Sequence, residues 1–214
     1  MPADLIHLVR HGEVFNPDHV LYGRIPGYGL SELGARMAKE SADSKVGHPI
    51  TRLYASPLQR TQESAAPWST NFGLEITTDD RLIEPWNDFE GTAGFGARVL
   101  RNPKFWPKLR NPFKPSWGEP YASIAKRMLA VIEDAWNEAE SGEVVLVSHQ
   151  LPIWMVHREL AGERLFHDPR KRRCQLSSIT TLARDVTRPY QFAEVDYQDP
   201  AAALQASAID LGAV

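Results

Sequence analysis

Short apolar runs, each bounded by polar or turn-forming residues, recur along the chain and predict strands. The first run is Leu5 to Val9. Five further segments have the apolar or β-branched character of strands, namely residues 51–55, 74–78, 144–147, 177–183 and 190–195. A short turn near Arg188 and Pro189 joins the last two of these segments.

Helix signals lie between the apolar runs. Ser31 is placed to cap the N-terminus of a helix that continues to about Asp43. Ser56 and Pro57 predict the cap and the first position of a second helix, which continues to about Ser69. The sequence therefore predicts a helix after each of the first two strands.

A longer helix is predicted after Glu119, and a further one begins at Pro152 and ends near Leu160. Apolar residues of the longer helix repeat every four positions and form one stripe, at Ile124, Met128, Ile132 and Trp136. Strands that alternate with helices predict an α/β three-layer sandwich with a mostly parallel central sheet flanked by helices. We expect this single domain to span residues 1–198, followed by an alanine-rich, lightly packed tail at 199–214.

Composition excludes several classes of protein. The 214 residues are 43% hydrophobic and 24% charged, so the chain is long enough to bury a sizeable core. A net charge of −3 provides no global attraction for nucleic acid or an anionic membrane, and we expect neither as a partner. Cys174 is the only cysteine, which excludes an internal disulfide. The first residues lack the apolar core of a signal peptide, so we expect a cytoplasmic protein.

Histidines follow two of the predicted strands. Arg10, His11 and Gly12 come directly after the first strand, and His149 follows the strand at 144–147 after one serine. Ligands of open α/β sheets bind at the carboxyl ends of strands, where two such histidines would face each other. One histidine in such a place is usually structural, but two in equivalent places favour a functional site. An arginine that ends a buried strand also needs an anion as its partner.

These residues resemble the signature of the histidine phosphatase superfamily, also called the phosphoglycerate mutase-like fold. The resemblance begins with Leu8-Val9-Arg10-His11-Gly12-Glu13. It continues, in the order typical of the family, through residues 31–34, 55–61, 81–84, 89–91 and 147–149. An Arg-His-Gly triplet alone is a weak signal, whereas this ordered set spans most of the chain. The resemblance implies a phosphoglycerate mutase-like sandwich that transfers phosphoryl groups.

By this resemblance, His11 accepts the phosphoryl group as a phosphohistidine. Arg10 and Arg60 clamp the phosphate oxygens, and His149 donates a hydrogen bond to them from the opposite side. Imidazole is a competent nucleophile when it is neutral, and guanidinium groups bind phosphate oxygens in pairs. We expect Gly12 to leave room for the entering phosphate. Without the resemblance, Arg60 would be interpreted as a solvated helix residue.

Glu84 occupies the position of the family's proton donor, and we predict it as general acid and then general base. Glu13, Asp88 and Glu90 are alternatives for this role. The spacing between Glu84 and the following Glu-Gly pair is one residue shorter than is usual in the family.

Further substrate contacts are predicted for Asn16, Gln150 and the tripeptide Tyr22-Gly23-Arg24. Asn16 lies one residue closer to the Arg-His-Gly triplet than is common in the family. It is equally well interpreted as a turn asparagine before Pro17. The tripeptide lies where relatives bring backbone groups and an arginine to the substrate.

The segment at 98–117 is basic and aromatic, contains no acidic residue and has prolines that prevent one continuous helix. In relatives the corresponding segment covers the active site, so we predict a lid at 92–118. Such a lid would suit a substrate with further negative charge or a flat ring. The alternative is a solvated loop whose aromatic residues pack onto the body. A second basic run, residues 170–173, is expected to be a solvated loop.

The function predicted from these features is hydrolysis of phosphomonoesters, with a small phosphorylated metabolite as substrate. We expect no cofactor and no metal, because the seven histidines are scattered. Cofactor-dependent mutases resemble one another in a longer insertion that is missing here. A phosphoglycerate mutase-type isomerase remains an alternative, as does a non-catalytic module that binds phospholigands or proteins. The protein is a possible homodimer.

Overall fold

The computed structural model describes residues 2–92 and 117–210 and consists of a sheet with helices on both faces. The strands are β1 (Leu5–Arg10), β2 (Ile50–Ala55), β3 (Ile76–Thr78), β4 (Glu143–Ser148), β5 (Ile179–Arg184) and β6 (Phe192–Gln198). The helices are α1 (Glu32–Asp43), α2 (Gln59–Phe72), α3 (Tyr121–Glu138), α4 (Gln150–Leu160) and α5 (Ala202–Gln205). Most of the predicted lid, residues 93–116, lies outside the described residues.

The described sheet has the strand order β3-β2-β4-β1-β5-β6. The pairs β1–β4, β2–β4 and β2–β3 are parallel, whereas β5 pairs antiparallel with both β1 and β6. Five of the six strands therefore run in the same direction, which confirms the predicted mostly parallel sheet. Among the described helices, none has the length and apolar character needed to cross a membrane.

The two faces of the sheet carry separate hydrophobic cores. In β1, Ile6 and Leu8 pack with the buried stripe of α3, whereas Val9 joins Trp68 of α2 on the opposite face. This division follows from the alternation of side chains along a strand. Burial of each large aliphatic side chain contributes about 1.5–3 kcal/mol, so both faces must be covered. The three-layer sandwich is thereby confirmed.

Helix boundaries differ from the sequence prediction at two starts. The second helix begins at Gln59 and not at Pro57, and Leu58 occupies the cap position without a side-chain hydrogen bond. The predicted cap, Ser56, lies with its hydroxyl 2.9 Å from Nε2 of His149 and accepts from the Leu58 amide at 3.5 Å. Helix α4 begins at Gln150, two residues before Pro152, and a proline in the first turn breaks no helical hydrogen bond.

The segment after Asp199 is docked on the body of the domain, although its alanine-rich composition predicted light packing. Ala201 is buried in a small cluster with Met37 and Leu176, and Leu204 packs against the same cluster. The segment is also held by a hydrogen bond of 2.8 Å from Gln205 Nε2 to the Leu176 carbonyl. The described part of the predicted tail, residues 199–210, is therefore packed on the domain.

Candidate active site

The carboxyl ends of β1, β4 and β2 are neighbours, and their parallel register places the residues that follow them side by side. Arg10 at the end of β1 is paired with Ser148 at the end of β4. The rings of His11 and His149, one residue further along each strand, have their centroids 5.2 Å apart. The structure therefore brings together the two histidines that the sequence placed at strand ends.

Five polar side chains predicted from the sequence are buried around this point, each at most 3% exposed. They are Arg10, His11, Arg60, Glu84 and His149. Arg60 comes from the first turn of α2, and Glu84 follows a short 3-10 turn at residues 80–82. Ligand atoms of His11, Glu84 and His149 lie within 4.8 Å of one another. Two strand ends, the first turn of α2 and one loop thus converge on a single site.

His11 is held as a neutral imidazole with a free lone pair. Its Nδ1 lies 2.7 Å from the carbonyl oxygen of Gly12, which can only accept, so Nδ1 carries the proton. Burial, followed by the charges of Arg60 and Arg10, lowers the pKa of His11 well below its ordinary value. The neutral ring then has its lone pair on Nε2, and it can act as a nucleophile at neutral pH.

The structure shows a close backbone contact that requires a glycine after His11. A Cβ atom on Gly12 would lie 2.3 Å from the carbonyl oxygen of Gly34, close to the start of α1. The amide of Gly12 also donates to Ser64 Oγ at 3.1 Å. A side chain at this position is excluded because two backbone segments touch there, and the room that Gly12 leaves for a phosphate stays a prediction.

Glu84 is the acidic residue that lies beside the two histidines. Its Oε2 is 3.4 Å from Nδ1 of His149. Burial raises the pKa of Glu84, because the buried carboxylate loses its hydration. The positive charge of Arg60 opposes this shift but does not cancel it. Of the alternatives, Glu13 accepts hydrogen bonds from Ser31 and from the Ile209 amide. Glu84 can therefore retain a proton at a higher pH than an exposed carboxyl group.

Several buried polar atoms of these residues have no hydrogen-bond partner among the described residues. They are Arg10 Nε, Arg60 Nε, His149 Nδ1 and Glu84 Oε1. An unsatisfied buried donor or acceptor costs about 1–3 kcal/mol, so a cluster of them points to a ligand that satisfies them. Two guanidinium N–H groups and an imidazole beside a nucleophile match the oxygens of a tetrahedral anion.

A metal ion is also conceivable from the ligand atoms alone, because His11, Glu84 and His149 lie close enough to share one ion. The charges around them favour an anion instead. Arg60 acts with burial to lower the pKa of both histidines, and the same positive potential would repel a divalent cation. The predicted absence of a metal from the mechanism stays a prediction.

The tripeptide Tyr22-Gly23-Arg24 supports the clamp and the acid in this structure. The Arg60 guanidinium lies 4.8 Å from the ring centroid of Tyr22 and donates to the Gly23 carbonyl at 2.8 Å. Arg24 Nε donates to the backbone carbonyl of Glu84 at 2.5 Å. These contacts hold Arg60 and the Glu84 loop in place, and contact of the tripeptide with the substrate stays a prediction.

The side chains of the other two predicted substrate residues have partners within the described part of the protein. The side chain of Asn16 spans a turn, donating to the Val20 carbonyl at 2.9 Å and accepting from the Val20 amide at 3.0 Å. These are the bonds of a turn asparagine, and they favour that interpretation over a phosphate ligand. Gln150 Oε1 accepts from Arg172 Nη1 at 3.2 Å, next to His149.

Three residues near the site were not predicted from the sequence. Ser56 contacts His149 Nε2, and Asp210 contacts Arg10. Arg172 is only 8% exposed and its charge acts on Glu84, so the expected solvated loop at 170–173 is wrong at this residue. Ser56 lies inside the motif at 55–61, whose local pattern predicts a helix cap, whereas no local pattern distinguishes Arg172 or Asp210.

The chain is similar to known proteins in both its sequence and its fold. The model of the histidine phosphatase superfamily, branch 1, matches residues 6–193. An uncharacterized protein of Mycobacterium tuberculosis is 49% identical over 94% of this chain and 100% of its own. Phosphoserine phosphatase 1 of Hydrogenobacter thermophilus is 30% identical over 72% of this chain and 75% of its own.

Among solved structures, mycobacterial glucosyl-3-phosphoglycerate phosphatase in complex with VO3 superposes with a TM-score of 0.74. The match covers 92% of this chain and 98% of that one, at 21% identity. At this level of identity the comparison shows a shared α/β fold.

Proposed function

Because the chain belongs to the histidine phosphatase superfamily, we propose that it hydrolyses small phosphomonoesters through a phosphohistidine on His11. The observation that carries the proposal is the neutral His11 ring, which lies among two buried arginines and a carboxyl group of raised pKa. Phosphoryl transfer requires a nucleophile, fixed positive charge and a proton donor for the leaving oxygen. This site offers all three.

In the first step, Nε2 of His11 attacks the phosphorus and the bond from phosphorus to the ester oxygen breaks. Glu84 gives its proton to the departing oxygen, which leaves as an alcohol. In the second step a water molecule attacks the phosphorus, the P–N bond breaks and Glu84 takes up the proton of the water. Inorganic phosphate leaves, and His11 and Glu84 return to their initial states.

Arg10 and Arg60 supply the charge that the transferring group needs. Each guanidinium is buried and has an Nε–H without a hydrogen-bond partner among the described residues. Such fixed donors stabilise developing negative charge strongly, because no solvent has to reorganise around it. When Ser56 donates to Nε2 of His149, the neutral His149 ring carries its proton on Nδ1 and can donate it to a phosphate oxygen.

The size of the adjoining cavity supports a small leaving group. A cavity of about 330 Å³ beside Arg60 is lined by residues 24–28 and 57–60. This volume lies near the lower end of the usual range for small-molecule sites, roughly 300–1,000 Å³. Arg24 and Tyr28 line it, so a leaving group with hydroxyl or anionic substituents fits its chemistry. We propose a phosphorylated metabolite of this kind as substrate.

The test is the release of phosphate from an aryl phosphate and from a panel of sugar phosphates, phosphoamino acids, phosphoglycerates and nucleotides. His11→Ala is expected to abolish release, and His48→Ala, which changes a histidine at the opposite end of the sheet, is the matched control. Brief incubation of the parent protein with a labelled substrate should give an acid-labile label on His11.

Other outcomes identify the alternatives. Isomerised phosphoglycerate without net phosphate would indicate a mutase. Phosphate binding without label or turnover on any substrate would indicate a binding module. Full phosphate release by His11→Ala would contradict the proposed nucleophile.

A further inference from the structure

The C-terminal segment reaches the candidate active site, where Asp210 contacts one of its arginines. Asp210 Oδ2 accepts from Arg10 Nη1 at 2.9 Å, and Asp210 Oδ1 accepts from Arg10 Nη2 at 2.5 Å. Arg10 Nη1 also donates to the Cys174 carbonyl at 2.7 Å. Arg10 is fully buried, whereas the Asp210 side chain is 35% exposed. A carboxylate from the far end of the sequence is thus the ionic partner of a residue that ends β1.

The way in which Asp210 binds Arg10 leaves one edge of the guanidinium available. A guanidinium group has an end-on fork formed by Nη1 and Nη2 and a side-on fork formed by Nε and Nη2. Asp210 occupies the end-on fork. Arg10 Nε has no hydrogen-bond partner among the described residues. The side-on fork is therefore free to bind an anion next to His11.

Asp210 is brought to Arg10 by a docked segment. The amide of Ile209 donates to Glu13 Oε1 at 2.6 Å, and Glu13 Oε2 accepts from Ser31, the N-cap of α1. Leu204 and Ala208 pack on the cluster that contains Met37. These contacts on both sides hold the residue before Asp210, so its carboxylate has a defined position.

A counter-charge at this place has a physical purpose. Taking a cation out of water costs several kcal/mol unless an anion compensates it. Burial disfavours the charge of Arg10, but Asp210 more than offsets this and raises the pKa of the guanidinium. The ion pair also fixes the rotamer of the Arg10 side chain before the substrate arrives. Less conformational entropy is therefore lost when the substrate binds.

We propose that Asp210 is a positioning residue that holds the Arg10 guanidinium with its side-on fork toward the substrate phosphate. The C-terminal segment is then a functional part of the site. The inference rests on the proposed function, because it assigns the ligand of that fork as a phosphate. The opposite possibility is that Asp210 competes with phosphate for Arg10 and inhibits binding. The two roles predict opposite changes in phosphate affinity. Removal of Asp210 weakens phosphate binding if Asp210 positions Arg10, and strengthens it if Asp210 competes with phosphate.

The experiment measures the dissociation constants of inorganic phosphate and orthovanadate by titration calorimetry. Asp210→Ala is expected to raise both constants by about tenfold, because it removes the partly exposed partner of a buried guanidinium. Asp210→Glu keeps a carboxylate and is expected to restore most of the affinity. The control Asp196→Ala removes an exposed carboxylate from β6 and is expected to leave both constants unchanged.

Two further readouts separate positioning from general destabilisation. With an aryl phosphate as substrate, Asp210→Ala is expected to raise KM much more than it lowers kcat, whereas partial unfolding lowers the apparent kcat. In an Arg10→Lys background, the same substitution is expected to change the phosphate constant little, because the fork that Asp210 positions is gone.

Tighter or unchanged phosphate binding by Asp210→Ala would overturn the positioning role. The parent protein could bind phosphate in a way that depends on Asp210 and yet turn over no substrate. That result would overturn the proposed phosphatase and leave the positioning role standing. No binding of phosphate or vanadate by the parent protein would overturn both.

Discussion

Glu84→Gln tests the acid–base chemistry directly, because glutamine keeps the volume of the side chain but cannot transfer a proton. Glu84 is buried beside His149, with Oε2 3.4 Å from Nδ1, so the substitution leaves packing nearly unchanged. A positioned general acid contributes about 10²–10⁴-fold to a rate. This corresponds to about 2.7–5.4 kcal/mol of transition-state free energy. We expect kcat on an alkyl phosphate to fall within this range.

The size of the loss depends on the leaving group. An alkoxide must be protonated as it departs, whereas a phenolate with electron-withdrawing substituents leaves without a proton. The loss on such an aryl phosphate is therefore expected to be smaller, about tenfold, when transfer to His11 limits the rate. Steady-state rates of Glu84→Gln and the parent protein on both substrates measure the difference. Glu32→Gln, which alters an exposed carboxyl group at the start of α1, is the control.

The pH profile of the parent protein gives an independent check of the same assignment. The first step needs protonated Glu84, whose pKa is raised by burial, so kcat/KM is expected to fall as the pH rises through that pKa. The step also needs neutral His11, whose pKa is lowered, so activity is expected to persist well below pH 6.5. An equal loss for alkyl and aryl substrates, together with an unchanged alkaline limb in Glu84→Gln, would refute the role of Glu84.

Two further predictions concern stability. Gly12→Ala is expected to destabilise the fold by about 2 kcal/mol or more, because its Cβ would lie 2.3 Å from the Gly34 carbonyl oxygen and the backbone has to move. Urea unfolding measures this change, and a loss below about 0.5 kcal/mol would contradict the close contact. The free energy of unfolding is also expected to fall as the pH drops below 6.5, because His11 and His149 have lowered pKa values and the unfolded chain binds protons that the folded chain does not. This contribution is fully present above pH 6.5 and is lost as the pH falls toward the folded pKa values. Unfolding curves of the parent protein and His149→Gln between pH 5 and pH 8 test it, and an identical pH dependence would count against a neutral, buried His149.

Several elements were predictable because their signals are local. The stripe of Ile124, Met128 and Ile132 repeats with the period of a helix, and all three are buried in α3. The run at 144–147 is apolar at every position, as expected for β4, which has neighbours on both sides and cores on both faces. The meeting of His11 and His149 followed from one rule, that parallel strands end at the same edge of a sheet.

Predictions were wrong or incomplete where a residue's task depends on a distant partner. Ser56-Pro57 has the local pattern of a helix start, yet the serine hydroxyl lies against His149, and the helix begins two residues later. Gly12 has the sequence context of a phosphate loop, and its close contact with the backbone of Gly34 has no signal in that context. In both cases the contact is formed by chain segments that only folding brings together.

The sequence by itself determined the alternation of strands and helices, the two cores and the order of the chemical groups at the strand ends. These features follow from periodicity and from the sheet geometry that periodicity imposes. Only the tertiary structure decided the protonation of His11 and Glu84, because a pKa depends on burial and on charges contributed by other segments. Only the tertiary structure brings Asp210 to Arg10, which lies 200 residues away in the sequence. An ion pair over that separation leaves no local pattern in the chain.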